Sequence, residues 1–319
     1  MGEKKRLIVI DSNAIIHRAY HALPPLTTKK GEAVGAVYGF LLVLFKAIRE
    51  FCPDYIAAAF DVQGITFRHK KFDGYKAKRP KAPEELYSQI PKIKEILGVF
   101  GIPVFEKAGF EADDVIGTIC ELASREGEKE IIIISGDLDV LQLVGPSVKA
   151  YLLRRGVKDA VLYDERLVWE RYQGLTPRQL VDFKALRGDP SDNIVGVKGI
   201  GEKTATDLLL KFGSLENLYR KLEGESKNNQ DVRIKIREIL LEQKEGAFLS
   251  RFLAQIEKNV PLDFYMEECR RKGFDKKKAI SLLEEFDFHS LITRLPSLEE
   301  VGAKAEIKSS PMGNNLKLW

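Results

Sequence analysis

Cysteine is scarce in this sequence. Cys52, Cys120 and Cys269 are odd in number, widely separated and without a Cys-x-x-Cys pair, which excludes a disulfide framework and a zinc-thiolate cluster and suits a reducing cytoplasm. No apolar run approaches the length that crosses a bilayer. The N-terminus has only four apolar residues, Leu7 to Ile10, between its basic start and Asp11, too few for a secretory signal. Charge of one sign is lacking too: 51 Lys and Arg stand against 47 Asp and Glu, a net +4 that does not by itself announce a polyanionic partner. What is abundant is apolar residues at 44% and charged residues at 31%. Disordered and fibrous classes are thereby excluded, and a sizeable core fits one large domain or two closely packed ones.

Three short apolar runs end in aspartate: Leu7-Ile8-Val9-Ile10 before Asp11, Ile56 to Phe60 before Asp61, and Ile131 to Ile134 before Ser135-Gly136-Asp137. Continuous runs of this length, rich in Ile and Val, read as parallel strands buried on both faces. Between them Leu41, Leu44, Phe45 and Ile48, then Val115, Ile116, Ile119 and Leu122, keep helical period. The pattern predicts an α/β sheet over roughly residues 5–165, with ligands beyond the carboxyl ends of its strands. From about residue 174 only helical signals remain. Thr176, Pro177 and Gln179 form a capping-box start and Gly188 a stop. The expected organisation is an α/β core at 1–173, a helical region at 174–299 and a frayed tail at 300–319.

Carboxylates gather where such a sheet would bind its ligand. Asp11, Asp61, Asp137 and Asp139 fall at strand ends, Glu111, Asp113 and Asp114 open a helix, and Asp189 and Asp192 sit in a Gly-Asp-Pro-Ser-Asp-Asn turn. Each cluster alone has an ordinary reading, since acids suit helix starts and turns. Nine in one crevice would repel one another unless cations were bound. With no cluster of His or Cys beside them, hard oxygen donors predict two Mg²⁺ or Mn²⁺ ions and phosphodiester hydrolysis. His17 and His21 have the i, i+4 spacing of a helical metal pair, but no Glu follows His17; they read as structural or phosphate-facing.

Residues 66–81 carry seven Lys and Arg, among them Arg68, Lys70, Lys71 and Lys78, interleaved with Phe67, Phe72 and Tyr75. A solvated face would explain the charge; its place just after Asp61 favours a phosphate-binding element. Gly196 to Thr204 is neither a P-loop nor a dinucleotide fingerprint, because Glu202 separates Gly201 from Lys203 and Thr204 stands at the last glycine position. A turn of this kind, with Lys198, Gly199, Gly201, Lys203 and Thr204, exposes backbone amides to a DNA phosphate, or only makes a tight corner.

Taken in order, Ile10-Asp11-Ser12 through Leu23, Ala36 to Phe40, Phe60-Asp61, Phe67-Arg68-His69, Tyr75-Lys76-Ala77-Lys78-Arg79, Glu111-Ala112-Asp113-Asp114, Gly136 to Asp139, Gly188 to Asn193 and Gly196 to Ala205 resemble the flap endonuclease family. The 5′-nuclease domain of bacterial DNA polymerase I belongs to that family, and the likeness covers about residues 5–295. The resemblance implies a PIN-like, mostly parallel sheet with flanking helices and an all-helical helix-three-turn-helix module. It implies an arch at about 66–90, in which Tyr75, Lys76 and Arg79 act on the scissile phosphate. It implies that Asp11, Asp61 and Glu111 mainly serve one metal, that Asp137, Asp139, Asp189 and Asp192 mainly serve the other, and that Asp113 lies between them with Asp114 nearby. Backbone carbonyls at Val197 and Ile200 would hold K⁺ against the DNA.

The activity implied is 5′-3′ exonuclease and 5′-flap endonuclease action in replication and repair, on DNA with a 5′ flap or a 5′ end at a duplex junction. The setting implied is the bacterial cytoplasm, near the nucleoid, without a membrane partner. A DNA polymerase region in the same or another chain is an open expectation, since none precedes Trp319. Two rivals remain at this point. A PIN-type ribonuclease would not require the glycine hairpin, and a non-catalytic DNA clamp would not require nine intact acids.

Overall fold

A computed structural model describes residues 5–127, 129–154, 156–157, 159–224 and 232–296; the expected tail at 300–319 lies outside them. Six strands form one sheet in the order β3-β2-β1-β4-β5-β6: β1 (Lys5–Asp11), β2 (Tyr55–Ala59), β3 (Val104–Phe105), β4 (Lys129–Ser135), β5 (Val148–Leu153) and β6 (Ala160–Tyr163). All pairings are parallel except β5 with β6. Alternate side chains serve opposite faces, as strand geometry requires. Leu7, Val9, Ile131 and Ile133 pack with Val115, Ile116 and Ile119 of the helix Ala112–Arg125. Ile8, Ile10, Ile132 and Ile134 pack with Phe40, Leu44 and Ile48 of the helix Gly35–Phe51.

The chain leaves β1 toward β2 on one side and returns through β4 on the other. The point where strand order reverses therefore lies between β1 and β4, and there the helix crossovers part and leave a crevice beyond the strand ends. Asp11 and Ser135 end those two strands. Asp11 also caps the helix Ser12–Ala22, accepting a bond of 3.1 Å from the amide of Ala14, so sheet and helix fix its carboxylate together.

Beyond residue 174 the elements are helical. The capping box at Thr176 and Gln179 forms, and the helix Leu180–Arg187 stops at Gly188 with φ +82°. Helices Glu202–Phe212, Leu215–Gly224, Ile234–Glu242 and Lys244–Ala254 follow. Their core residues Leu186, Leu209, Leu218 and Leu240 belong to the same apolar cluster as Leu7 and Ile133. One feature departs from the sequence grouping of 174–299 with the DNA-binding region. The helix Lys276–Glu285 returns to the sheet, where Ala279, Leu282 and Leu283 join the cluster of Phe45 and Ile134; the apolar side chains of this segment find their complement under the opposite face.

Gly188 and Gly196 lie back to back. A Cβ on Gly196, whose φ is +69°, would stand 2.3 Å from the backbone nitrogen of Gly188. Gly196→Ala is therefore expected to destabilise the protein by roughly 2–4 kcal/mol. A urea denaturation midpoint equal to wild type would contradict this packing.

Candidate active site

The crevice above β1 and β4 encloses about 650 Å³. Seven of the nine carboxylates singled out in the sequence line it: Asp11, Asp61, Glu111, Asp113, Asp137, Asp139 and Asp192. Asp11 is buried and bonded by the hydroxyl of Ser135. That hydroxyl also accepts the Asp137 amide at 2.9 Å, and the Asp137 carboxylate accepts the Asp139 amide at 2.9 Å. The turn after β4 thus aims its two acids by its own backbone. Asp61, at the crevice mouth, accepts from the amide of Ala112 at 2.6 Å and ties β2 to the helix that carries Asp113.

Burial pushes the Asp11 carboxyl up to about 7, with Asp137 and Asp61 adding to it against the bonds from Ser135 and Ala14. Burial likewise raises Asp113 well above the carboxylate range, reinforced by Asp11, Asp137 and Asp139. Asp139 rises to about 6 through burial and Asp137, although Lys184 opposes the change. Among the described residues Asp113 has no hydrogen bond and no ion pair. A carboxylate held among carboxylates, with Lys76 offsetting the burden only in part, is an electrostatic demand for a cation.

Basic side chains meet the rest of that charge. Lys76 Nζ lies 2.9 Å from Glu111 Oε2 and 3.9 Å from Asp192 Oδ2. Arg79 Nη2 lies 2.5 Å from Asp192 Oδ1. The buried Tyr75 hydroxyl donates to Glu111 at 3.1 Å, and burial with Glu111 and Asp192 pushes its own ionisation upward. For Glu111, burial alone would raise the carboxyl, but Lys76 and Arg68 outweigh it and hold it below its usual value. Lys76 itself sits in left-handed backbone, φ +54°. Its amide donates to Asp192 O at 2.9 Å, and Asn193, also left-handed at +57°, donates its side-chain amide to Gly74 O at 2.7 Å. Two turns distant in sequence clasp each other and hold the cations over the crevice.

Asp114 and Arg68 pair with each other. Asp114 is fully buried and turned away from the crevice, and Arg68 is only 2% exposed. The guanidinium forks onto Asp114 at 2.7 and 2.8 Å and donates to Leu253 O and Gln255 O. Asp114 also accepts the amides of Glu111 and Glu257. The pair joins the acidic helix to the helical region, with Asp114 off the crevice lining and Arg68 on it. Asp189 stands just behind the crevice lining, bonded to Lys184 at 2.6 Å and to the Ser191 hydroxyl at 2.6 Å; these contacts outweigh burial and hold it down at about 2.

Sequence reading missed four side chains. Lys184 bridges Asp139 and Asp189 from the helix Leu180–Arg187; its place one helical turn before a Gly-Asp turn gave no signal of its own. Asn13 accepts the Asp61 amide at 3.0 Å, and Arg18 donates to Gly136 O at 2.7 Å. Gln243 clamps the glycine hairpin, accepting from Lys198 N at 2.8 Å and donating to Lys198 O at 3.0 Å. In that hairpin Val197 and Ile200 are buried, while Lys198, Gly199, Gly201 and Lys203 are exposed and Thr204 half-buried. Gly199 is left-handed at +100°; Gly201 is not, and caps the helix Glu202–Phe212. Lys70, Lys71 and Lys78 are exposed outside the crevice. His17 and His21 both face into it, with burial and then His21 lowering His17.

Among the described residues no three His, Cys, Asp or Glu side chains group closely enough to hold an ion as they are placed; Lys76, Arg79 and Lys184 pair with Glu111, Asp192, Asp139 and Asp189 instead. The donor set is nonetheless all oxygen and open at Asp113, which fits hard divalent cations. A pH dependence follows. Asp11 and Asp139 hold protons more tightly in the folded chain than their ordinary 3.8, so the metal-free protein loses stability as pH rises from about 4 to about 7. Mg²⁺ should raise the melting temperature more at pH 8 than at pH 5; an equal rise would show that these acids do not meet the ion.

A parallel sheet whose strand ends carry an acidic crevice, roofed by a clasped basic segment, defines a nuclease. The chain belongs to the 5′-3′ exonuclease family: residues 6–173 match its N-terminal resolvase-like domain and residues 175–277 its C-terminal SAM fold. DNA polymerase I of Bacillus caldotenax is 41% identical over 299 residues, 93% of this chain and 33% of that protein. DNA polymerase I of Bacillus subtilis (strain 168) is 38% identical over 317 residues, 99% of this chain and 35% of that protein. The chain thus spans about a third of the length of these relatives. The T5 5′-exonuclease, solved with divalent zinc ions bound, superposes with a TM-score of 0.65 at 20% identity, covering 91% of this chain and 99% of that one. The catalytic core of Rad2 in complex with DNA substrate gives 0.54 at 18% identity over 90% and 88%. At such identities the likeness is one of fold.

Proposed function

We propose that this chain hydrolyses DNA phosphodiesters at 5′ flaps and 5′ ends of duplex junctions, using two Mg²⁺ or Mn²⁺ ions. The observation that carries the reading is Asp113, a carboxylate without a cation partner among the described residues, facing Asp11, Asp137 and Asp139 beneath Lys76 and Arg79. Asp11, Asp61, Glu111 and Asp113 would hold one ion, and Asp113, Asp137, Asp139 and Asp192 the other, with Asp189 acting through Lys184. Ions held there would supply a nucleophile from water and neutralise charge on the leaving oxygen. Tyr75, Lys76 and Arg79 orient the scissile phosphate from above, and Ser135 and Asn13 keep the acids in place.

The hairpin supplies the exposed backbone of Gly199 and Gly201 and the side chains of Lys198 and Lys203 to a duplex phosphate; a K⁺ ion at the carbonyls of Val197 and Ile200 is part of the same reading. Relatives of polymerase length support action beside a DNA polymerase region, in the bacterial cytoplasm near the nucleoid. Four end-labelled substrates test this: a 5′-flapped duplex, blunt duplex, single-stranded DNA and single-stranded RNA. The flap is expected to be cut fastest in Mg²⁺, since it alone offers duplex to the hairpin and a free 5′ strand to the crevice. Preference for RNA would favour a ribonuclease, and flap binding without cutting in Mg²⁺ or Mn²⁺ a clamp.

A further inference from the structure

Of the chain's 17 phenylalanines, Phe252 is the one exposed among the described residues, at 41%. It stands on the helix Lys244–Ala254, whose next two residues, Leu253 and Ala254, line the crevice. Its ring meets Phe67 edge to face at 5.7 Å, and Phe67 meets Phe110 at 5.6 Å. None of the three belongs to a buried core cluster. Phe110 immediately precedes Glu111, and the Arg68 guanidinium lies 4.5 Å from the Phe67 ring centre with its other side on Glu111 and Asp114. The rings therefore sit one guanidinium away from the crevice.

Lys71 stands one helical turn after Phe67, its ammonium 6.0 Å from the Phe252 ring centre, and Lys70 beside it is exposed. An exposed apolar ring with a mobile lysine ammonium over it has the chemistry of a surface that takes a base by stacking and gives that cation to the adjoining phosphate.

We infer that Phe252, backed by Phe67 and Phe110, is a stacking platform for an unpaired base of the DNA strand that enters the crevice. This rests on the flap reading above. Stacking on an aromatic face is tolerant of base identity, so the platform would hold strand without reading sequence. It would fix the strand next to Glu111, where the phosphate must be presented.

The test uses a 5′-flapped duplex carrying 2-aminopurine at successive flap positions, with Ca²⁺ to permit binding, and a blunt duplex as reference. Phe252→Leu keeps an apolar cover over Phe67 while removing the ring. It should weaken flap affinity by about tenfold and blunt-duplex affinity by less than twofold, and should abolish the fluorescence quenching that wild type shows at one flap position. Phe252→Tyr should restore both. Wild-type flap preference and quenching that survive in Phe252→Leu would overturn the platform, leaving the ring as a cover for Phe67. If wild type itself does not distinguish flapped from blunt duplex, the flap reading fails and the platform with it.

Discussion

Asp113→Asn is expected to slow cleavage of a flapped duplex by on the order of 10³ or more, with DNA affinity unchanged or tighter. The other acids of the crevice have partners of their own: Lys76 on Glu111, Arg79 on Asp192, and Lys184 on Asp139. Asp113 has no such pair: burial is its largest cost, Asp11, Asp137 and Asp139 add to it, and Lys76 offsets only part. Neutralising it relieves the repulsion, so the variant should also be at least as stable as wild type without metal. Loss of charge facing a polyanion favours binding. Single-turnover rates with fluorescence anisotropy separate the two effects; cleavage within tenfold of wild type at saturating Mg²⁺ would remove Asp113 from the metal site.

Lys76→Ala should be nearly as severe, slowing single-turnover cleavage by about 10²–10³ while changing blunt-duplex affinity little. The Lys76 ammonium is held between Glu111 and Asp192 by a left-handed backbone that costs about 1 kcal/mol or more for a non-glycine residue. The clasp between residues 74–76 and 192–193 maintains that conformation. Lys76→Arg should recover only part of the rate, because a planar fork cannot take the place of a compact ammonium between two acids. Equal losses of duplex affinity and of turnover would instead make the segment a general electrostatic patch.

The buried strands were legible because Ile and Val runs ending in Asp leave few alternatives, and β1, β2 and β4 lie where those runs fall. β3 is two residues long and β6 is a half-buried edge, too short or too mixed for a periodic signal. Of the paired acids, Asp113 faces the crevice and Asp114 the interior, since neighbours on a helix point about 100° apart and composition at a helix start does not say which points where. Arg68 was legible as a cation but not as a buried one; its partners Leu253 O and Gln255 O lie 185 and 187 residues away. Lys184 and Gln243 act only through contacts that folding brings together, and no local pattern marks them. Ser135 and Asn13 belong to the same kind: single polar residues whose role depends on the amide or carboxylate opposite.

Under the proposed function two divalent ions at these strand ends perform the cleavage. Single-turnover cutting of a 5′-flapped duplex, followed as Mg²⁺ is titrated from zero at fixed ionic strength, tests it most directly. The rate should climb with an apparent order of about two in Mg²⁺ before saturating, and EDTA should abolish it. A first-order rise, or cutting that persists in EDTA, would contradict the two-ion site.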